Sequence, residues 1–143
     1  MTETGGAIID EIMAEIARIN GILREAFSKA HLVAAQSSPV DTGRLRSSWQ
    51  YRLGGSVDPT PDRGKPAGHI HGHDIYPDIR ARSRRISKAN AMIFDVSKHR
   101  LSVLGSPVRY AVYVGTKDAK HHMAAKAEAI IKEAGRFAGM AIR

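Results

Sequence analysis

Between residues 6 and 36 the apolar positions fall on one side of a helical wheel. Ile9, Ile12, Met13, Ile16, Ile19, Leu23, Ala26, Phe27, Ala30 and Val33 recur at steps of three and four. Asp10, Glu11, Glu15, Arg18, Arg24 and Glu25 fall largely off that stripe. The spacing predicts one long helix, with acids crowding the end where the helix dipole favours them. At about 1.5 Å per residue it exceeds about 40 Å. That is long for so small a domain, so part of the stripe is expected to pack on another subunit. Gly21 is expected to mark a bend, at a cost of about 1 kcal/mol relative to alanine.

Pro39 ends this pattern, because it lacks an N–H and pushes Ser38 out of helical geometry. Asp41 or Thr42 is the expected cap of a short turn or helix through Leu45 and Ser48, with Gly43 permitting the bend. Trp49, Tyr51 and Leu53 then alternate with Gln50 and Arg52, a strand signal. Residues 54–90 show no period of two or of 3.6 and read as a flexible loop rich in Gly, Pro, His and Arg. "AMIFDVS" and "RLSVLGS" alternate around "KH" and predict a β-hairpin. "PVRYAVYVGT" follows as a third strand or a short helix. Asp118 is a plausible N-cap for a last helix over 119–142, whose stripe runs through Met123, Ala127, Ile130, Ile131, Ala134, Ala138 and Ala141. The expected fold is a single α+β domain over 1–143: a long N-terminal helix, a small antiparallel sheet with a long basic loop, and a C-terminal helix.

Composition narrows the function classes. The 143 residues contain no cysteine, so disulfides, thiolate nucleophiles and cysteine-bound metals are excluded. The start of the chain lacks the basic lead of a signal peptide, and no apolar run approaches the roughly 18 residues of a membrane span. The expectation is a protein made and kept in a cytoplasm, without a membrane partner. The formal charge of +8 is uneven: residues 1–36 hold five acids and three bases, whereas 41–90 hold five acids and ten bases. Arg80, Arg82, Arg84, Arg85 and Lys88 follow one another without an acid, and they are the candidate contacts to DNA or to another subunit.

Candidate chemistry is sparse. "HIHGHD", residues 69–74, alternates imidazoles that can bind a metal, with Asp74 as a further ligand. It stands in a Gly/Pro-rich stretch without a rigid element to fix the geometry, and a polar loop is the preferred reading. His121 and His122 are adjacent and do not share a helix face. No G-x-S-x-G elbow and no phosphate loop of the G-x-x-x-x-G-K-[ST] kind occurs. Glu128 and Glu133, five apart, do not converge as an acid–base pair. The expectation is a protein that is not an enzyme and takes no cofactor or metal. A non-specific basic nucleic-acid-binding protein is the alternative function.

"SPVDTGRLRSSW", after a long first helix, resembles the HK97 gp10-like family of tailed-phage neck and tail-completion proteins. Those proteins show a "P-V-D-T-G-x-L-R-x-S" segment, and later a "Y-A-x-Y-V-E-x-G-T" segment before a C-terminal helix. Pro39, Val40, Asp41, Thr42, Gly43, Leu45, Arg46 and Ser48 match the first; Tyr110, Ala111, Tyr113, Val114, Gly115 and Thr116 match the second. The glutamate and the residue after it are missing between Val114 and Gly115. The "HIHGHD" insertion is also foreign to the pattern. The resemblance implies a virion protein assembled in the host cytoplasm: a ring of six or twelve subunits at the head–tail junction. Such a ring meets portal, adaptor, stopper, tail-tube or terminator proteins and leaves a channel for genomic DNA. On this reading Asp41 or Thr42 caps, Gly43 bends, Leu45 is core, and Arg46 pairs with Asp41 or contacts the next subunit.

Overall fold

The apolar stripe forms as one helix, α1, from Thr2 to Gln36, which continues through Gly21 without a break. The computed structural model describes residues 2–109, 111 and 122–139, with side chains from Gly5 onward. Among the described residues α1 is followed by α2 (Arg44–Ser48), β1 (Gln50–Leu53), α3 (Pro77–Ile93), β2 (Ser102–Gly105) and α4 (Met123–Phe137). The architecture is α+β, with a two-stranded antiparallel sheet in which Gln50 faces Gly105 and Leu53 faces Ser102.

Only the second half of the α1 stripe is covered. Leu23 and Phe27 pack with Tyr51, Ala91 and Phe94. Ala30, Ala34 and Ala35 pack with Leu45, Trp49, Val108, Met123 and Ala127. Phe27 lies flat on Tyr51 at 4.7 Å and edge-on to Phe94 at 4.9 Å. Burial pushes the Tyr51 phenol up to about 12. Helix α4 runs antiparallel to α1: Met123 Sδ is 2.8 Å from Ser38 Oγ, and the Arg18 guanidinium donates to the carbonyls of Phe137 and Ala138. Arg18 thereby satisfies carbonyls that the end of α4 leaves free. N-terminal to Ile16, the stripe is bare: Ile8, Ile9, Ile12 and Met13 are 52–63% exposed.

Several expectations fail here. Residues 77–90, read as the second half of a loop, form α3 together with the first three residues of the expected hairpin. Pro77 opens it at a position where the missing N–H costs nothing, and Asp78 sits in its first turn. Beside the buried Ala91, the part of its inward face that meets β1 is polar: Ser87 Oγ accepts from the Tyr51 N–H at 3.0 Å, and Asn90 Nδ2 donates to the Tyr51 carbonyl at 2.9 Å. These side chains close the edge of β1 that β2 leaves open, which otherwise exposes unpaired backbone groups. That polar face hides the helical period from a hydropathy reading.

The predicted hairpin is also absent. "AMIFDVS" supplies the last turn of α3 and an Asx turn in which Asp95 accepts from the Ser97 N–H and hydroxyl. "SVLG" pairs with β1 instead. Arg24 donates to the Phe94 carbonyl at 2.7 Å, and Asn20 bonds both Asp95 and the Val96 N–H, so α3 is tied to α1 at its end. The last helix begins at Met123, after His122 rather than after Asp118; Asp118 and the third strand or short helix predicted from "PVRYAVYVGT" lie largely outside the described residues.

Candidate functional site

The "VDTG" turn is a hub for the long segment that follows β1. Gly43, at φ 93°, precedes α2 as its cap residue, without a side-chain cap bond. The expected caps do other work. Thr42 Oγ1 accepts from the Arg44 N–H at 3.4 Å, and the Thr42 carbonyl accepts from the Ile75 N–H at 2.7 Å. Asp41 turns away from α2 and gathers Lys65 and His71, while its carbonyl accepts from Gly72 N and His69 Nε2. The Lys65 ammonium, followed by His71, holds the Asp41 carboxyl below its usual range. The first half of the loop is therefore fastened rather than free. Arg44 reaches the Thr60 and Pro61 carbonyls, and the Gln50 amide bonds both the N–H and the carbonyl of Asp58.

Arg46 does not pair with Asp41. Its Nη2 donates to the carbonyls of Gln36 and Ser38, at 3.2 and 3.1 Å, and so closes the C-terminus of α1. Its Nε is buried without a partner. Leu45 is core, as expected. Ala111 is buried beside Val108 and Trp49. Tyr110, Tyr113, Val114, Gly115 and Thr116 lie outside the described residues.

Two of the "HIHGHD" histidines, His69 and His71, meet at the Asp41 carboxylate, and Asp74 pairs with Arg80. Among the described residues no group of three or more acid or imidazole side chains is placed to hold a metal.

The basic run acquires a face once it is helical. Arg80, Arg84, Arg85 and Lys88 line one groove between α3 and the end of α1, together with Arg46. Its volume is about 820 Å³, and His31, Leu32, Ala35 and Ala81 contribute less polar wall. Arg82 points elsewhere, beside Arg52, Asp58 and Pro59. Arg80 is partly neutralised by Asp74, but Arg84, Arg85 and Lys88 have no acidic partner among the described residues. His31 is 5% exposed and donates through Nε2 to the Trp49 carbonyl at 2.8 Å. Burial, opposed by that bond and assisted by the Arg84 charge, pushes its imidazole below the ordinary value. The sequence expectation puts these cations in a loop, whereas they lie on α3, and the helical spacing 80, 84, 88 is the signal that identifies a common face.

Acid is expected to weaken the fold in two stages. Folding favours neutral His31, so stability is full above its unfolded value near 6.5 and declines as pH falls below it. Asp78 is lowered to about 2, chiefly by Arg63, and Asp95 to about 2 by the Ser97 hydroxyl and N–H and by Asn20. Their contribution is present above the ordinary carboxylate value near 4 and is lost as pH falls through about 2. A series of melting curves from pH 7 to pH 2 reads both stages, and Asp95→Asn should shrink the lower one.

No described helix is long and apolar enough to cross a membrane. No family model, curated protein or solved structure matches this chain.

Proposed function

We propose that the protein is a structural component of the tailed-phage head–tail junction, a subunit that assembles with copies of itself and with the rings above and below it. The bare half of the α1 stripe carries this reading. Ile8, Ile9, Ile12 and Met13 stand exposed on the same helix face whose continuation is core, and such a contiguous apolar patch marks an interaction site. The "PVDTGRLRSS" resemblance names the class of assembly. It is supported by a turn whose side chains are spent on internal bonds, as a structural motif requires. The role requires no catalysis.

The unpaired cations of the groove favour a second reading, non-specific binding of a nucleic-acid backbone. Deletion of the gene from the phage or prophage that carries it, with electron microscopy of the lysate, separates the two. The junction role predicts separate heads, filled or leaky, with unattached or overlong tails. Normal infectious particles would overturn it and leave salt-sensitive DNA binding to be pursued.

A further inference from the structure

The bare helix and the basic groove are complementary. On α1, Glu11 and Glu15 border the apolar stripe on one side and Asp10 borders it on the other, and no base appears before Arg18. In the groove, Arg84, Arg85 and Lys88 are exposed cations, and Leu32, Ala35 and Ala81 give the wall an apolar part. One surface is an amphipathic helix with acidic margins; the other is a cleft with an apolar wall and basic margins. Helix-in-groove docking uses this combination, with apolar anchors for affinity and flanking charges for register.

The two surfaces of one chain cannot meet. Ile12 and His31 lie on the same continuous helix, 19 residues and therefore about 28 Å apart. The helix that fills the groove must come from a second copy. We infer that the N-terminal half of α1 of one subunit docks in the groove between α1, α2 and α3 of the next.

This inference rests on the proposed self-assembly and specifies its contact. The contact joins different surfaces of identical chains, so it is head-to-tail: it propagates from copy to copy and closes into a ring when the rotation permits. A phosphate backbone matches the cations of the groove, but it offers nothing to the apolar wall and leaves the α1 stripe uncovered.

The test is a cross between two half-disabled variants, followed by sedimentation velocity. Ile9→Asp/Ile12→Asp removes the helix surface and keeps the groove; Arg84→Glu/Lys88→Glu does the reverse. All four positions are exposed, and circular dichroism verifies the folds. If either double variant melts early, Ile12→Asp and Lys88→Glu alone make the same cross. The wild type should self-associate, less so as salt rises. Each variant alone should associate at least about tenfold more weakly, because reversed charges face each other or apolar anchors are lost. Mixed at equal concentration, the variants should form a one-to-one dimer and nothing larger, since one intact contact remains.

A mixture no better associated than its components overturns the inference, as does a wild type that stays monomeric. So does a groove variant that loses binding to a short DNA duplex but associates as the wild type does. None of these results touches the lysate phenotype, so the contact and the junction role fail separately.

Discussion

Replacing Trp49 by alanine should lower the unfolding free energy by about 3–5 kcal/mol, the range for deleting a large buried aromatic. Trp49 is 5% exposed and packs among residues from α1, α2 and α4. It holds more than volume. Its indole N–H donates to Ser38 Oγ at 2.8 Å, and that hydroxyl, 1% exposed, in turn donates to the Ala34 carbonyl at 2.9 Å. The backbone carbonyl of Trp49 accepts from His31. Alanine therefore leaves a cavity and also strips a buried hydroxyl of one partner. Trp49→Phe separates the two effects. It keeps most of the apolar contact and loses the N–H, so it should cost about 1–2 kcal/mol. Urea unfolding followed by circular dichroism measures both. A domain of this size is stable by about 5–15 kcal/mol, so the alanine variant should be partly unfolded near its melting range while the phenylalanine variant stays folded. Equal losses for the two variants would place the whole effect in the hydrogen bond.

What could be read before folding was what repeats. The α1 stripe is legible because Leu23, Phe27 and Ala30 pack on one side, at the spacing a helix imposes. The C-terminal helix is legible through Met123, Ala127, Ile130 and Ile131 in the same way. Helix α3 is not, because its task is to satisfy the edge of β1, and Ser87 and Asn90 do that better than any apolar side chain. The hairpin reading erred for a related reason: alternation in "AMIFDVS" fits a strand locally, but Asp95 captures its own downstream N–H groups and turns the chain. In the "VDTG" turn the bonds differ from the capping that the residue types suggest. Whether Asp41 caps a helix or anchors a distant loop depends on where Lys65 and His71 arrive, and nothing local records that. The groove follows the same logic. Its cations were visible as a run, but their separation into a groove face and Arg82 requires the helix.

Gly43→Ala should cost about 3 kcal/mol, through two effects that a double-mutant cycle can separate. The first is conformational. Gly43 has φ 93° and ψ 0°, in the left-handed region where a side chain is strained by about 1–3 kcal/mol. The second is contact. A Cβ on Gly43 would stand 2.2 Å from Asp74 Oδ1 and 2.6 Å from its Cγ. That carboxylate cannot simply swing aside, because Oδ1 accepts from the Tyr76 N–H at 2.7 Å and Oδ2 is paired with Arg80. Asp74→Ala alone should cost about 1–3 kcal/mol from the lost bonds. Once Asp74 is gone, alanine at 43 meets no carboxylate and retains only its backbone strain. The double variant should therefore be more stable than the sum of the single losses predicts, by at least about 1 kcal/mol. Strict additivity in urea midpoints would mean that the close approach of Asp74 to the turn is not what selects glycine, and that φ alone does. Coupling would mean that Gly43 is required because the segment carrying Asp74 closes over the turn, which joins the "VDTG" stretch to the start of α3 and to the rim of the groove.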